Sequence, residues 1–191
     1  MANFIIKPTS SNDSIKFQGS DGSAQFTIAG TAGSLGSGIA YPAGHVIQTK
    51  SSFYSSTNIA CGTTATTISQ GELSNFTPKL GTSGKLLVWW WMSGGYTATA
   101  SSGVSIGLKY STNNFSSEAT FGPSEWMAAY VTYAPGGNHK ASSSASTGVI
   151  TTPTASEFDV RFHVKTNTGT VYINQDGALD TMVIIIQEIS V

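Results

Sequence analysis

The chain is poor in cysteine and in charge, and each shortage excludes classes of protein. Its 191 residues include a single cysteine, Cys61, so one chain forms neither an internal disulfide nor a cysteine-based zinc or iron–sulfur site. Charged side chains make up 10% of the sequence, against about 25% in an ordinary domain. Nine Lys and Arg residues against ten Asp and Glu leave a net charge of −1 without a basic stripe, which argues against nucleic acid as a partner.

Long apolar runs are also missing. No stretch of the sequence reaches the ~18 consecutive apolar residues of a membrane-spanning helix. The first eight residues lack the basic and apolar regions of a secretory signal peptide. We therefore expect the chain to be made in a cytoplasm and not to insert into a membrane. At this length we also expect one well-filled domain and not two.

Helical periodicity is scarce, and alternation of apolar and polar residues takes its place. In Phe158–Lys165 four apolar side chains alternate with four charged or titratable ones, and Val104–Tyr110 alternates in the same way. A period of two is typical of a half-buried antiparallel strand. The sequence therefore predicts an all-β, antiparallel sandwich. Further candidate strands, separated by turn-rich breaks, lie within His45–Tyr54, Thr63–Ser69, Trp126–Tyr133, Gly148–Thr152 and Thr170–Asn174.

Two candidate strands break the alternation, because Lys85–Met92 and Met182–Ile186 are apolar at consecutive positions. One face of each strand can pack inside the sandwich, whereas the other face needs a separate cover. That cover is either a loop of the same chain or another subunit. The second interpretation is favoured, since large aromatic side chains each bury about 150–250 Å². It predicts a homotrimer whose interface includes Trp89, Trp90, Trp91, Val183 and Ile185.

The first 40 residues differ in composition from the rest of the chain. They hold too few apolar residues for a core of their own, and they include the flexible run Gly30–Gly38. Such a segment cannot bury enough surface to fold alone. We expect residues 1–40 to be an extended arm or collar for particle attachment or subunit exchange, and 41–191 to be the main domain.

The motifs that suggest catalysis or metal binding are incomplete. Gly81–Lys85 lacks both the first glycine and the final hydroxyl residue of a phosphate loop, so we predict a turn before the tryptophan strand. His163 has charged neighbours on its strand but no nucleophile nearby. Asn174–Asp180 lacks the order of ligands and the closing glutamate of a calcium loop. We expect no catalytic residue, no metal site and no cofactor.

Two segments have a composition suited to binding a sugar. Tyr96 follows two glycines, and the segment Tyr133–Lys140 combines an aromatic ring with amide and imidazole groups. Aromatic stacking combined with neutral hydrogen bonds favours a glycan as ligand, while ordinary loop composition is the alternative interpretation. We also expect Ala134–Thr147 to be an exposed, mobile loop. The candidate ligand or receptor residues are Tyr96, Tyr133, Asn138 and His139.

Several segments, in their order along the chain, carry a resemblance to a known group. Together they resemble the small trimeric jelly-roll knobs of bacteriophage fibre, spike and capsid-surface proteins, which are similar in architecture to the tumour-necrosis-factor-like fold. The match covers about residues 42–191. The segments are Pro42–Gln48, Gly84–Val88, the pair Phe158–Phe162 and Thr170–Asn174, and Met182–Ile189.

The resemblance implies a jelly-roll knob over residues 41–191 and a non-enzymatic role in a virion. Such a protein is a trimeric surface projection, either a capsid decoration or a short tail fibre, made in the host cytoplasm. Its N-terminal arm would hold capsid or tail proteins, and its distal loops would meet a host-surface glycan. The chain departs from long fibres because only about 40 residues precede the knob. A carbohydrate-binding β-sandwich module of an adhesin or enzyme is the alternative function.

Overall fold

A computed structural model describes residues 14–18, 24–29, 32–35, 43–55, 59–97, 102–132, 141–173 and 181–191. These residues form β-strands joined by turns, with one short 3₁₀ segment at Gly81–Ser83 and no α-helix among them. All strand pairs are antiparallel, which confirms the predicted all-β, antiparallel class. The strands are β1 (Ser14–Gln18), β2 (Ala24–Ala29), β3 (Ala32–Leu35), β4 (Val46–Tyr54), β5 (Ile59–Cys61), β6 (Thr66–Phe76), β7 (Lys85–Thr97), β8 (Ser102–Ser111), β9 (Ala119–Thr120), β10 (Ala128–Thr132), β11 (Ala141–Thr151), β12 (Phe158–Thr166), β13 (Val171–Ile173) and β14 (Met182–Ile189).

The chain divides into two compact units, Met1–Pro42 and Ala43–Val191. The described part of the first unit is a three-stranded antiparallel sheet in the order β1-β2-β3. Phe17 stands opposite Phe26, and Phe26 stands opposite Leu35. This differs from the extended arm expected from composition, because short alternating segments separated by turns suffice for a backbone hydrogen-bond ladder.

The second unit contains two sheets. The first, the tryptophan sheet, has the order β4-β14-β7-β13-β5, with β11 also paired to β7. The second, the histidine sheet, has the order β10-β8-β12-β6, with β9 paired to β8. Both sheets contribute alternate side chains to one hydrophobic core, as the period of two requires. The largest fully buried side chains are Phe76, Phe121, Phe158, Phe162, Leu73, Leu86, Met92, Ile106, Leu108, Ile173, Met182 and Ile184.

A buried glutamate fixes the connection between β6 and β7. Glu188, on β14, accepts hydrogen bonds from the backbone N–H groups of Lys79 and Leu80, each at 2.8 Å, and from Gln48 Nε2 at 2.6 Å. A Cβ atom at Gly84 would lie 2.9 Å from Glu188 Oε1, so a larger residue would disturb this contact. The predicted turn before the tryptophan strand is confirmed as a 3₁₀ segment followed by Gly84.

The prediction of a loop over Ala134–Thr147 is wrong for its second half. Residues 141–147 belong to β11, which pairs with β7 and places Ser144 opposite Trp91. Backbone hydrogen bonds to a neighbouring strand do not depend on apolar side chains. A serine-rich segment can therefore pair with β7, which is long enough to give it a partner strand. Residues 133–140 and the segment Asn174–Asp180 lie outside the described residues.

Candidate functional site

The three consecutive tryptophans of β7 lie on two different faces of the tryptophan sheet. Trp89 is 47% exposed and Trp91 is also exposed, whereas Trp90 is only 3% exposed. Trp90 lies in the core with its ring edge-on to Phe162, at a centroid distance of 6.0 Å and an interplanar angle of 84°. The prediction that Trp90 belongs to a subunit interface is therefore wrong, because successive strand residues point to opposite faces.

The exposed tryptophans continue into the neighbouring strand β14. Ile185 stands opposite Trp89, and Val183 stands opposite Trp91. Both residues are half-buried and alternate with the core residues Met182, Ile184 and Ile186. The structure thus brings together four of the five predicted interface residues on one face, because directly opposed residues of paired strands share a face.

The edge strands enlarge this apolar area. Phe53 on β4 stands opposite Val183 and is 67% exposed, and the exposed Val149 on β11 stands opposite Leu87. Sequence reasoning missed Phe53 and Val149, since neither strand shows which of its faces is buried until its partner is known. The surface, termed here the outer apolar face, includes Val46, Phe53, Leu87, Trp89, Trp91, Val149, Val183, Ile185 and Ile189. The polar residues Thr49, Ser51 and Gln187 share this face with them.

Charge is nearly absent from the outer apolar face. Among the described residues that share it, Lys85 alone is charged, and it lies at one end, where its Nζ donates to Thr151 Oγ1 at 3.0 Å. Lys50 and Glu188 lie on the same strands but hydrogen-bond across the opposite face. Contiguous apolar area of this kind marks interaction sites in folded proteins, and tryptophan is enriched among residues that dominate binding energy.

Of the four predicted glycan-binding residues, the described part of the chain includes Tyr96 alone. The backbone of Tyr96 lies in β7, opposite Tyr172 of β13, and not in a loop as expected. This is because β7 extends past the two glycines to Thr97. Tyr133, Asn138 and His139 lie outside the described residues.

Chemically reactive groups in the described residues do not form a catalytic arrangement. Cys61 is buried, and burial raises the pKa of its thiol to about 12, so it stays protonated and unreactive. No group of three or more His, Cys, Asp or Glu residues in the described ranges could hold a metal ion. A cleft of about 340 Å³ has no titratable side chain in its lining, which consists of Thr120, Phe121, Gly122, Pro123, Ile150, Thr151 and Pro153.

His163, considered above as an acid or base, lies among several polar and charged side chains in the structure. Its Nδ1 lies 3.0 Å from Thr67 Oγ1, and its Nε2 lies 3.5 Å from Glu125 Oε1. A hydroxyl, an imidazole and a carboxylate thus follow one another, as in the relay of a nucleophilic site, but His163 is buried and covered by the stacked ring of Trp126, so the group is closed to a substrate. No helix in the described part of the chain is long and apolar enough to cross a membrane.

No protein-family model matches this chain, and no curated protein matches it. The function must therefore be inferred from the all-β fold and from the outer apolar face.

Proposed function

We propose that this protein is a non-enzymatic structural subunit that forms a homotrimer and projects from the surface of a bacteriophage particle. The observation that carries the proposal is the outer apolar face, where Phe53, Val183 and Trp91 form one row across three strands. Leaving that area in water forfeits about 25 cal/mol for each Å² of apolar surface. The role in a virion comes from the resemblance of residues 42–191 to phage knobs.

The pairing of the strands supports a jelly-roll knob. Eight strands of the second unit pair as β4 with β14, β6 with β12, β7 with β11, and β8 with β10. In chain order, the first pairs with the last, the second with the seventh, the third with the sixth and the fourth with the fifth. A long hairpin rolled into two sheets has this pattern, which is the jelly-roll arrangement.

Copies of the same chain are the partner that this surface suits best. The face carries almost no charge, and the whole chain has a net charge of −1, so identical subunits repel one another little. A closed ring with threefold symmetry would cover the face on every subunit and leave none exposed. The trimer is the closed form that the resemblance to phage knobs implies.

The N-terminal unit has a separate role in this proposal, which is attachment to capsid or tail proteins. The described part of the second unit has a hydrophobic core to which both of its sheets contribute, from Ile59 to Ile186. In this proposal that core folds the knob, and the first unit serves assembly. Whether the partner is a capsid or a tail protein is decided by locating the protein in intact particles by electron microscopy.

A carbohydrate-binding module is the second candidate, because Trp89 and Trp91 expose two rings at alternate positions of one strand. Sugar hydroxyls need hydrogen-bonding partners beside such rings. On β14 the residues opposite the two rings are Ile185 and Val183, which offer only aliphatic surface, whereas on β11 they are Ser146 and Ser144. The aliphatic row on β14 and the adjoining Phe53 favour a protein partner, and the carbohydrate module stays the second candidate.

The test compares the molar mass in solution of the wild type with that of Trp89→Glu and Ile185→Glu. A carboxylate in a buried interface without a partner is strongly unfavourable, so both variants should be monomers with an unchanged circular dichroism spectrum. Thr63→Glu, at an exposed position away from the outer apolar face, is the matched control and should remain a trimer. A monomeric wild type that binds glycans and loses that binding in Trp89→Glu would support the carbohydrate module instead.

A further inference from the structure

A short segment between β9 and β10 crosses the outer side of the histidine sheet. The backbone N–H of Phe121 donates to the carbonyl of Leu108 at 2.9 Å, and that of Met127 donates to the carbonyl of Ile106 at 2.8 Å. Residues 122–126, termed here the strap, lie between these two anchors. The chain therefore leaves the edge of β8 after Phe121 and returns to that edge at Met127.

Gly107 makes room for the strap. A Cβ atom at this position would lie 1.9 Å from the carbonyl oxygen of Glu125, which no side chain can accommodate. Gly107 stands opposite His163 on β12, and directly opposed residues share a face. The backbone of the strap thus occupies the space beside the His163 ring.

The strap buries a histidine on a face that is otherwise polar. The neighbours Arg161 and Lys165 on β12 are half-buried, but His163 is only 5% exposed. The indole ring of Trp126 stacks on the imidazole, with centroids 4.9 Å apart and planes 21° from parallel. The buried Nε2 atom makes no well-formed hydrogen bond, and Glu125 Oε1 of the strap lies 3.5 Å from it.

Charged groups surround this histidine on several elements. From β8, Lys109 Nζ contacts Glu125 Oε1 of the strap at 3.2 Å. On β12, Lys165 Nζ lies 4.7 Å from the centroid of the Trp126 ring, while Arg161 is paired with Glu72 of β6. Glu118, in the turn before β9, is the other acidic group that acts on His163.

We propose that the strap is an acid-sensitive latch, which protonation of His163 releases from the histidine sheet. The closed latch favours the neutral imidazole, because the ring is buried and has Lys109 nearby. Both effects lower the pKa of His163, and the opposing attraction of Glu118 and Glu125 does not cancel them. An open latch returns the ring to water and allows it to take up a proton.

The direction of the pH effect follows from this difference. Because the pKa is lower in the closed state than the ordinary value of about 6.5, the closed state binds fewer protons. Closure is therefore fully favoured above that ordinary value and loses stability as the pH falls below it. Opening exposes the Trp126 ring and the bare backbone at Gly107, which changes the surface of the histidine sheet.

Hydrogen exchange of the full chain, read on peptides that cover residues 121–127, tests the latch. After correction for the intrinsic exchange rate, protection should fall several-fold between pH 7.5 and pH 5.0. His163→Gln cannot titrate and should abolish this pH dependence. His45→Gln removes a histidine from another part of the chain and should leave it intact.

A second measurement covers the case in which His163→Gln does not fold. The imidazole of His163 and the indole N–H of Trp126 can be followed by NMR through the same titration of the wild type. The latch predicts one shared midpoint below about 6.5. Protection that stays constant while His163 titrates, or a Trp126 signal that does not follow His163, would overturn the proposal. Because the latch lies on the sheet opposite the outer apolar face, a failure here leaves the trimer untouched.

Discussion

Trp89 and Trp90 are adjacent in sequence but lie on opposite faces of the same sheet. Trp90 fills the core against Phe162, and Trp89 lies in the solvent-exposed apolar area beside Ile185. One side chain therefore serves the fold, while its neighbour is available to a partner. This division allows stability and association to be tested separately.

Replacing each tryptophan with alanine should give two different results. Trp90→Ala removes a buried ring and should lower the free energy of unfolding by about 3–5 kcal/mol. Trp89→Ala should keep cooperative unfolding but remove the dependence of the transition on protein concentration that an oligomer shows. Urea denaturation at several protein concentrations measures both. Equal losses of stability in the two variants would contradict the assignment of faces.

Glu188 should contribute to stability through its buried hydrogen bonds. Glu188→Gln replaces a carboxylate that accepts from Lys79 and Leu80 N–H with an amide that has one acceptor fewer and adds N–H donors. We expect a loss of about 1.5–3 kcal/mol, the range for hydrogen bonds to charged groups. Glu157→Gln is the control, because Glu157 is exposed. Equal unfolding midpoints for the two variants would exclude this role.

Gly107→Ala should displace the strap at every pH. The added methyl group would overlap the carbonyl oxygen of Glu125, so the strap must move away from β8. We expect faster hydrogen exchange over residues 121–127 at neutral pH, with loss of its pH dependence. Gly62→Ala is the matched control, since no atom lies within 4 Å of a Cβ at that position. Normal protection in Gly107→Ala would show that the strap does not depend on this glycine.

A chain shortened to residues 43–191 should fold without the first unit. The second unit is compact and holds the described hydrophobic core, so we expect a single cooperative thermal transition. The same shortened chain should lose attachment to particles if residues 1–42 serve assembly. Differential scanning calorimetry measures the first property, and co-sedimentation with particles measures the second. Loss of cooperative unfolding would show that the first unit stabilises the second.

Part of this structure could be predicted from the sequence because it depends on local alternation. The pattern of Phe158–Lys165 correctly places Phe158, Val160, Phe162 and Val164 in the core. The two-faced strands correctly pointed to an apolar area outside the core, although alternation alone does not show which of the three tryptophans lies inside. Such local rules describe a strand well and its neighbours poorly.

The rest depends on contacts between distant segments. His163 occupies an outward position in the alternation, yet it is buried, because Gly107 leaves space for Trp126 to cover it. Phe53 joins the outer apolar face only through the register between β4 and β14. Residues 141–147 form a strand because β7 provides a long partner, and their own serine-rich sequence predicts a loop.

The molar mass of the unmodified chain, measured by sedimentation equilibrium over a range of micromolar concentrations, tests the central claim most directly. Three copies of the 19.9 kDa chain should give one species of about 60 kDa, as a closed threefold assembly requires. A single species at 19.9 kDa throughout that range would contradict the account, because the outer apolar face would then remain in water.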